Sequence, residues 1–194
     1  MKTALTVFFA MLFSQTCLAL ASQFVQSPAK PVPTESLQGG RPCLFDREHG
    51  EVPDCIHKRR NGQTSISPKY LRELDFDSHG VAAVWSQEEN WMYVNRKGRV
   101  IISGVPTMDN GADWFHNGLV RIVRNNRYGF ANRKGLVVVP PIYDGAMNFE
   151  KGIAEVCMRC RSECASDCEY HALAGGEWFR INTRGTVLKS KKPK

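Results

Sequence analysis

Between Asn117 and Val156, apolar and polar residues follow one another in short blocks that read as β-strands. Gly118-Leu119-Val120-Arg121-Ile122-Val123 is the first, Tyr128-Gly129-Phe130-Ala131 the second, and Leu136 to Val139 the third and most apolar. Val, Ile and aromatic side chains suit a pleated, half-buried surface. Between the second and third blocks, Asn132-Arg133-Lys134-Gly135 ends on glycine, where a hairpin turn needs a left-handed residue. Pro140-Pro141-Ile142-Tyr143-Asp144 reads as a break that stops the third strand. Left exposed, Leu136 to Val139 would invite aggregation.

The same landmarks recur on either side of this stretch, and a period of this length decides the architecture. An aromatic followed by glycine and a strand appears as Phe76…Gly80-Val81, Phe115…Gly118-Leu119 and Phe149…Gly152-Ile153. The turn appears as Asn95-Arg96-Lys97-Gly98, Asn132-Arg133-Lys134-Gly135 and Asn182-Thr183-Arg184-Gly185, led by Trp91, Tyr128 and Trp178 respectively. A lone hairpin is marginal in water, so neighbouring copies must stack to bury their apolar faces. Trp85, Trp91, Phe115, Tyr128, Phe130, Phe149 and Trp178 are accordingly expected in the core. Leu44-Phe45-Asp46 and Gly50-Glu51-Val52 read as a worn N-terminal half-unit, and His57 to Gln63 as an exposed loop after it.

At these residues the chain resembles the bacterial WG-repeat family, whose units carry a Trp-Gly start, an Asp/Asn-x-x-Gly turn, a Pro-Pro-x-Tyr-Asp segment and a Phe-x-x-Gly-Leu-Ala strand. The resemblance spans about residues 66 to 188 and is closest from Tyr128 to Val156, with Tyr128 in place of Trp. Trp91-Met92 and Trp178-Phe179 keep the Trp and lose the Gly. What the resemblance implies is a β-rich repeat domain serving as a binding surface, with no catalytic residues to carry over.

The N-terminal segment changes the setting. Lys2, the apolar run Ala4 to Phe13 and Ala19-Leu20-Ala21 form a secretory-signal pattern, with cleavage expected after Ala21 and a periplasmic or secreted product. The apolar run is too short to span a bilayer, so no transmembrane segment is expected in the mature chain. Ser14-Gln15-Thr16 is too polar a lead for acylation, so lipidation at Cys17 is not expected. Residues 22–40, rich in Pro and Gly, read as a disordered linker, 41–188 as the repeat domain and 189–194 as a basic tail.

The formal net charge of +7 favours acidic partners. Export removes nucleic acid from the expected partners and leaves a protein or an anionic cell-envelope component. Stacked copies would superpose Arg96, Lys97, Arg133, Lys134 and Arg184 into a basic ridge that Arg121, Arg124 and Arg127 would extend. The competing reading is that turns are polar because they are wet.

Without Cys17, six of the seven cysteines remain, an even number that argues for disulfides in an exported chain. Cys43 and Cys55 flank a turn at cross-strand reach and are expected to pair. Cys157, Cys160, Cys164 and Cys168 lie in an insertion, 157–176, within the last copy, and their connectivity is open. Its Gly175-Gly176 end permits a helix, which would set four thiols on one side for a metal. The spacing matches neither zinc knuckles nor ferredoxin runs. Cys157-Met158-Arg159-Cys160 offers a second alternative, thiol redox chemistry, on a chain without the strand-helix alternation that usually hosts it.

His49, His57, His79, His116 and His171 are scattered, and no nucleophile, zinc-protease or phosphate-loop motif is present. The sequence therefore predicts an all-β stack of about three WG-like hairpin units plus an N-terminal half-unit. Its expected function is non-catalytic binding without a cofactor, metal or catalytic site. The alternative function is thiol redox or metal binding through the insertion.

Overall fold

The computed structural model describes residues 40–45, 50–164 and 171–189. All of them fall in one compact unit, Glu35–Lys194. The expected signal segment, Cys17, the linker up to residue 39, Cys168 and residues 190–194 lie outside the described residues.

The chain is all-β, built from small antiparallel sheets. β1 (Arg41–Cys43), β2 (Val52–Lys58) and β3 (Thr64–Ile66) form the first, followed by one 3-10 turn, Pro68–Tyr70. β4 (Val81–Ser86), β5 (Asn90–Asn95) and β6 (Val100–Val105) form the second. A short hairpin, β7 (Thr107–Met108) and β8 (Gly111–Ala112), leads to β9 (Leu119–Arg124), β10 (Arg127–Asn132) and β11 (Val137–Tyr143). The last sheet pairs β12 (Gly145–Ala146), β13 (Ile153–Met158) and β16 (Glu177–Asn182), with β14 (Arg161–Cys164) and β15 (His171–Ala174) as a hairpin between β13 and β16.

Alternation along the strands explains why the sheets stack. In β4 and β5, Ala82, Val84, Met92 and Val94 pack toward the N-terminal sheet, while Val81, Ala83, Trp91 and Tyr93 pack toward the next one. In β9 and β10, Val120, Ile122 and Ala131 face back, and Leu119, Tyr128 and Phe130 face forward. The last sheet turns Ala154, Val156, Phe179 and Ile181 to the stack. The two middle sheets are thus apolar on both faces, and a period of two is the means.

One position ties each unit to the next. Tyr93 packs on Phe115 with ring centroids 4.8 Å apart, and Phe130 packs on Phe149 at 4.6 Å. The equivalent residue of the last copy is Arg180, which is exposed, as is its cross-strand partner Glu155. A charged pair thus occupies the face where a further unit would dock. A polar outer face is what a terminal repeat needs.

Several expectations are corrected. Trp178 shares this outer face with Arg180 and is 42% exposed, so it is not core. Pro140-Pro141 does not end the third strand: β11 runs through both prolines to Tyr143. That is possible because β11 is an edge strand, and its register against β10 shifts from Phe130↔Val139 to Tyr128↔Tyr143 around the prolines. The bulged strand comes so close that a β-carbon on Gly129 would overlap Val139 O and the backbone of Pro140 and Pro141. The N-terminal half-unit is a full three-stranded sheet, and His57, expected in an exposed loop, is buried on β2 opposite Ser65. Where it is described, the insertion is strand rather than helix, with Arg161↔Ala174 to Cys164↔His171 paired. Arg159 at φ 60° breaks any helical course at its start.

Candidate functional site

The turn edge of the stack repeats one hydrogen-bonding device. Asn95 Oδ1 accepts from the backbone N–H of Lys97 at 3.0 Å and of Arg99 at 3.1 Å. Asn132 Oδ1 accepts from Lys134 at 2.9 Å and Leu136 at 3.1 Å, and Asn182 Oδ1 from Arg184 and Thr186, both at 3.0 Å. The glycine that closes each turn stands at φ 72°, 81° and 79°. Asparagine is therefore required as an acceptor for two otherwise unpaired donors, and glycine for the left-handed backbone.

These turns follow one another along a single edge. A β-carbon on Gly98 would lie 3.0 Å from Ile66 O, one on Gly135 would overlap Ile101 O, and one on Gly185 would lie 3.2 Å from Val139. Each turn is thus seated on the third strand of the unit before it. The N-terminal sheet contributes a fourth turn, Arg59-Arg60-Asn61-Gly62, in which Gln63 N–H donates to Asn61 Oδ1 at 3.0 Å. Ser65, just beyond it, bridges to Arg99, just beyond the next turn. Sequence reading missed this member because its Asn-Gly pair lacks the Asn-x-x-Gly spacing of the others, although its basic residues and Gly62 were visible.

The five cations expected on the ridge divide into two kinds. Arg96 lies over the ring of Phe76 at 5.1 Å, and Arg133 lies over Phe115 at 4.2 Å and also pairs with Asp77. Lys97, Lys134 and Arg184, at the next turn position, are exposed, with no ion-pair partner among the described residues. Burial pushes the Asp77 carboxyl up, but hydrogen bonds from Val81 N–H, the Arg133 side chain and His79 N–H outweigh it and hold the carboxyl below its usual range. Between the loop carrying Asp77 and the first turn lies an open cleft of about 490 Å³, lined by Ser78, His79, Gly80, Asn95, Arg96, Lys97 and Arg99.

Of the three residues expected to extend the ridge, Arg121 and Arg127 do other work. Arg121 donates from Nε to Asp113 Oδ2 at 2.9 Å, from Nη2 to Asp113 Oδ1 at 3.1 Å and from Nη1 to Ala146 O at 3.0 Å. Asn148 and Tyr93 complete this buried network, donating to Asp113 Oδ1 at 3.1 Å and Asp113 O at 2.8 Å. A fully buried carboxylate is tolerable only with such partners. Arg127 pairs with Asp144, and Arg124 is exposed.

Cys43 and Cys55 form a disulfide with Cα atoms 5.6 Å apart, and Cys157 and Cys160 form a second at 5.9 Å. Cys164 is also disulfide-bonded. Cysteines held this way have no thiolate to offer a metal. The Cys157–Cys160 bridge is buried at the bend between β13 and β14, and Arg159 and Arg161 pair with Glu177 and Glu163. A β-carbon on Gly176 would overlap the backbone of Met158, Arg159 and Cys160, so this bend packs against the Gly175-Gly176 corner. Among the described residues no three His, Cys, Asp or Glu side chains converge as a metal site, and no helix is long and apolar enough to cross a membrane.

Neither the curated proteins nor the solved structures gave a match to this chain. Residues 128–159, from the aromatic that opens β10 to the bend after β13, match the family described as WG containing repeat.

Proposed function

We propose that the chain is an exported, non-catalytic binding module whose turn edge recognises an anionic cell-envelope component or the acidic face of a partner protein. The observation that carries this reading is the recurrence of one rigid turn presenting Lys97, Lys134 and Arg184 at equivalent positions, with no ion-pair partner among the described residues. A merely wet turn needs polarity but not the same sign of charge at the same position. The net charge of +7 adds a long-range attraction for anions. Disulfides persist in oxidising compartments, which suits an extracytoplasmic setting.

The test is co-sedimentation of the disulfide-intact protein with anionic envelope fragments. Wild type sediments with them, and Lys97→Glu/Lys134→Glu stays in solution while keeping its melting temperature. Equal sedimentation of both proteins would end this reading.

A further inference from the structure

We infer that the ligand of the turn edge is a linear polyanion, a flexible polymer with a phosphate or carboxylate group on each repeat, laid along the stack with its charges against successive turns. This rests on the turn edge being the binding surface and names what it binds. The row of cations selects a polymer over a compact acidic protein or a small anion, a cleft at one turn anchors it, and the covered rings select against a polymer with bases.

The cations are arranged in file. Lys97, Lys134 and Arg184 occupy the same place in three turns, each seated on the preceding unit, and the exposed Arg60 belongs to the fourth turn of the same edge. The row Lys97, Lys134 and Arg184, one cation per WG-like turn and none with an ion-pair partner among the described residues, matches an extended chain, whereas a compact protein face wants a patch. Lys97, Lys134 and Arg184 each sit on a turn held by two Asn Oδ1 hydrogen bonds, so these three are ordered before the ligand arrives.

One turn adds depth. The open cleft beside Lys97, with Arg96, Arg99, His79 and Ser78 on its walls, takes one anionic group from several sides. Elsewhere the edge offers single point charges. A polymer is thus anchored at the first WG-like turn and held more loosely at the others, with affinity built from several weak contacts on one chain.

Two rings beside the turns are covered. Arg96 lies over Phe76 and Arg133 over Phe115, so neither face is open for a base to stack on. Single-stranded nucleic-acid sites combine basic grooves with open aromatic faces. The geometry favours a polymer without bases.

The experiment measures binding of the disulfide-intact protein to inorganic orthophosphate, to a polyphosphate long enough to touch one turn, to a polyphosphate spanning all four, and to polyglutamate of matching length. Affinity is expected to rise steeply with chain length for both polymers, with orthophosphate not measurably bound. Each of Lys97→Glu, Lys134→Glu and Arg184→Glu weakens the long chains, and each lowers the slope of log K against log salt by about one. Lys97→Glu, beside the cleft, costs most. Length-independent affinity that the reversals still abolish would overturn the polymer inference and leave the turn edge as a site for a small or compact anion. Tighter binding of single-stranded DNA than of polyphosphate at equal charge would also overturn it. Long-chain binding indifferent to all three reversals would remove the underlying reading as well.

Discussion

The guanidinium of Arg133 lies 4.2 Å from the centre of the Phe115 ring and pairs at the same time with Asp77, a residue of the unit before. One side chain thus fastens its own turn to the start of its own repeat and to the neighbouring repeat. Arg133→Ala should cost about 1 to 2 kcal/mol, summing an aromatic-cation contact and a part-exposed ion pair discounted for screening. Arg133→Lys should recover only part, since the planar stack is lost. Because the Asp77 carboxyl is held below its ordinary pKa of 3.8, the ion pair contributes fully above that pH and is lost as pH falls further, through the lowered value. Urea melts at pH 7 and below pH 4 should show the Arg133→Ala penalty shrinking in acid.

Tyr93 carries a second pH signature. Burial, with the Asp113 carboxylate beside it, pushes its phenol up to about 12 from 10.0. A raised pKa means the folded state holds the proton more tightly, so stability is complete below pH 10 and declines as pH climbs from there toward 12. Tyr93→Phe should lose about 1 kcal/mol near neutrality, from the hydrogen bond to Asp113 O, and flatten the alkaline decline. The residual alkaline loss should come from Tyr143, whose phenol burial also raises.

Two glycines with nearly the same backbone should respond differently to alanine. Gly118 stands at φ 79° in open space, and Gly135 at φ 81° against Ile101 O. Gly118→Ala should cost about 1 to 2 kcal/mol of backbone strain. Gly135→Ala must also push two units apart and should cost on the order of 4 kcal/mol or more. Equal melting temperatures for the two variants would contradict the seating of the turns.

The open end of the stack should be convertible into an interface. Arg180 occupies the place where Tyr93 and Phe130 reach into the next unit, beside the half-exposed Trp178. Arg180→Phe with Glu155→Val should make that face resemble an internal one and drive concentration-dependent self-association, read by sedimentation velocity. A variant that stays at the wild-type sedimentation coefficient at all concentrations would deny that these residues cap the stack.

Much of this architecture was legible because its signals are local. The Asn and Gly of each turn act within four residues, so Asn95-Arg96-Lys97-Gly98 and its copies announced themselves. What escaped depends on partners distant in sequence. Trp178 reads as core because Trp91 and Tyr128 hold the same position in their copies, and nothing local says that its face is the exposed one shared with Arg180. Arg96 and Arg133 read as free ridge cations because the rings beneath them lie about twenty residues back. Arg121 reads as surface because the carboxylate that fixes it, Asp113, belongs to an irregular connection rather than a strand. The prolines of β11 read as a stop because a bulge against Gly129 cannot be inferred from β11 alone.

The most direct measurement is the salt concentration at which the disulfide-intact protein leaves an immobilised polyphosphate matrix, compared between two double reversals of equal charge. Lys97→Glu/Lys134→Glu removes two cations of the turn edge, whereas Arg124→Glu/Arg161→Glu removes two exposed cations outside the turns. The account predicts that the first elutes at much lower salt and the second close to wild type. Identical elution of the two variants would show that net charge alone governs retention, and would contradict the turn edge as the functional surface.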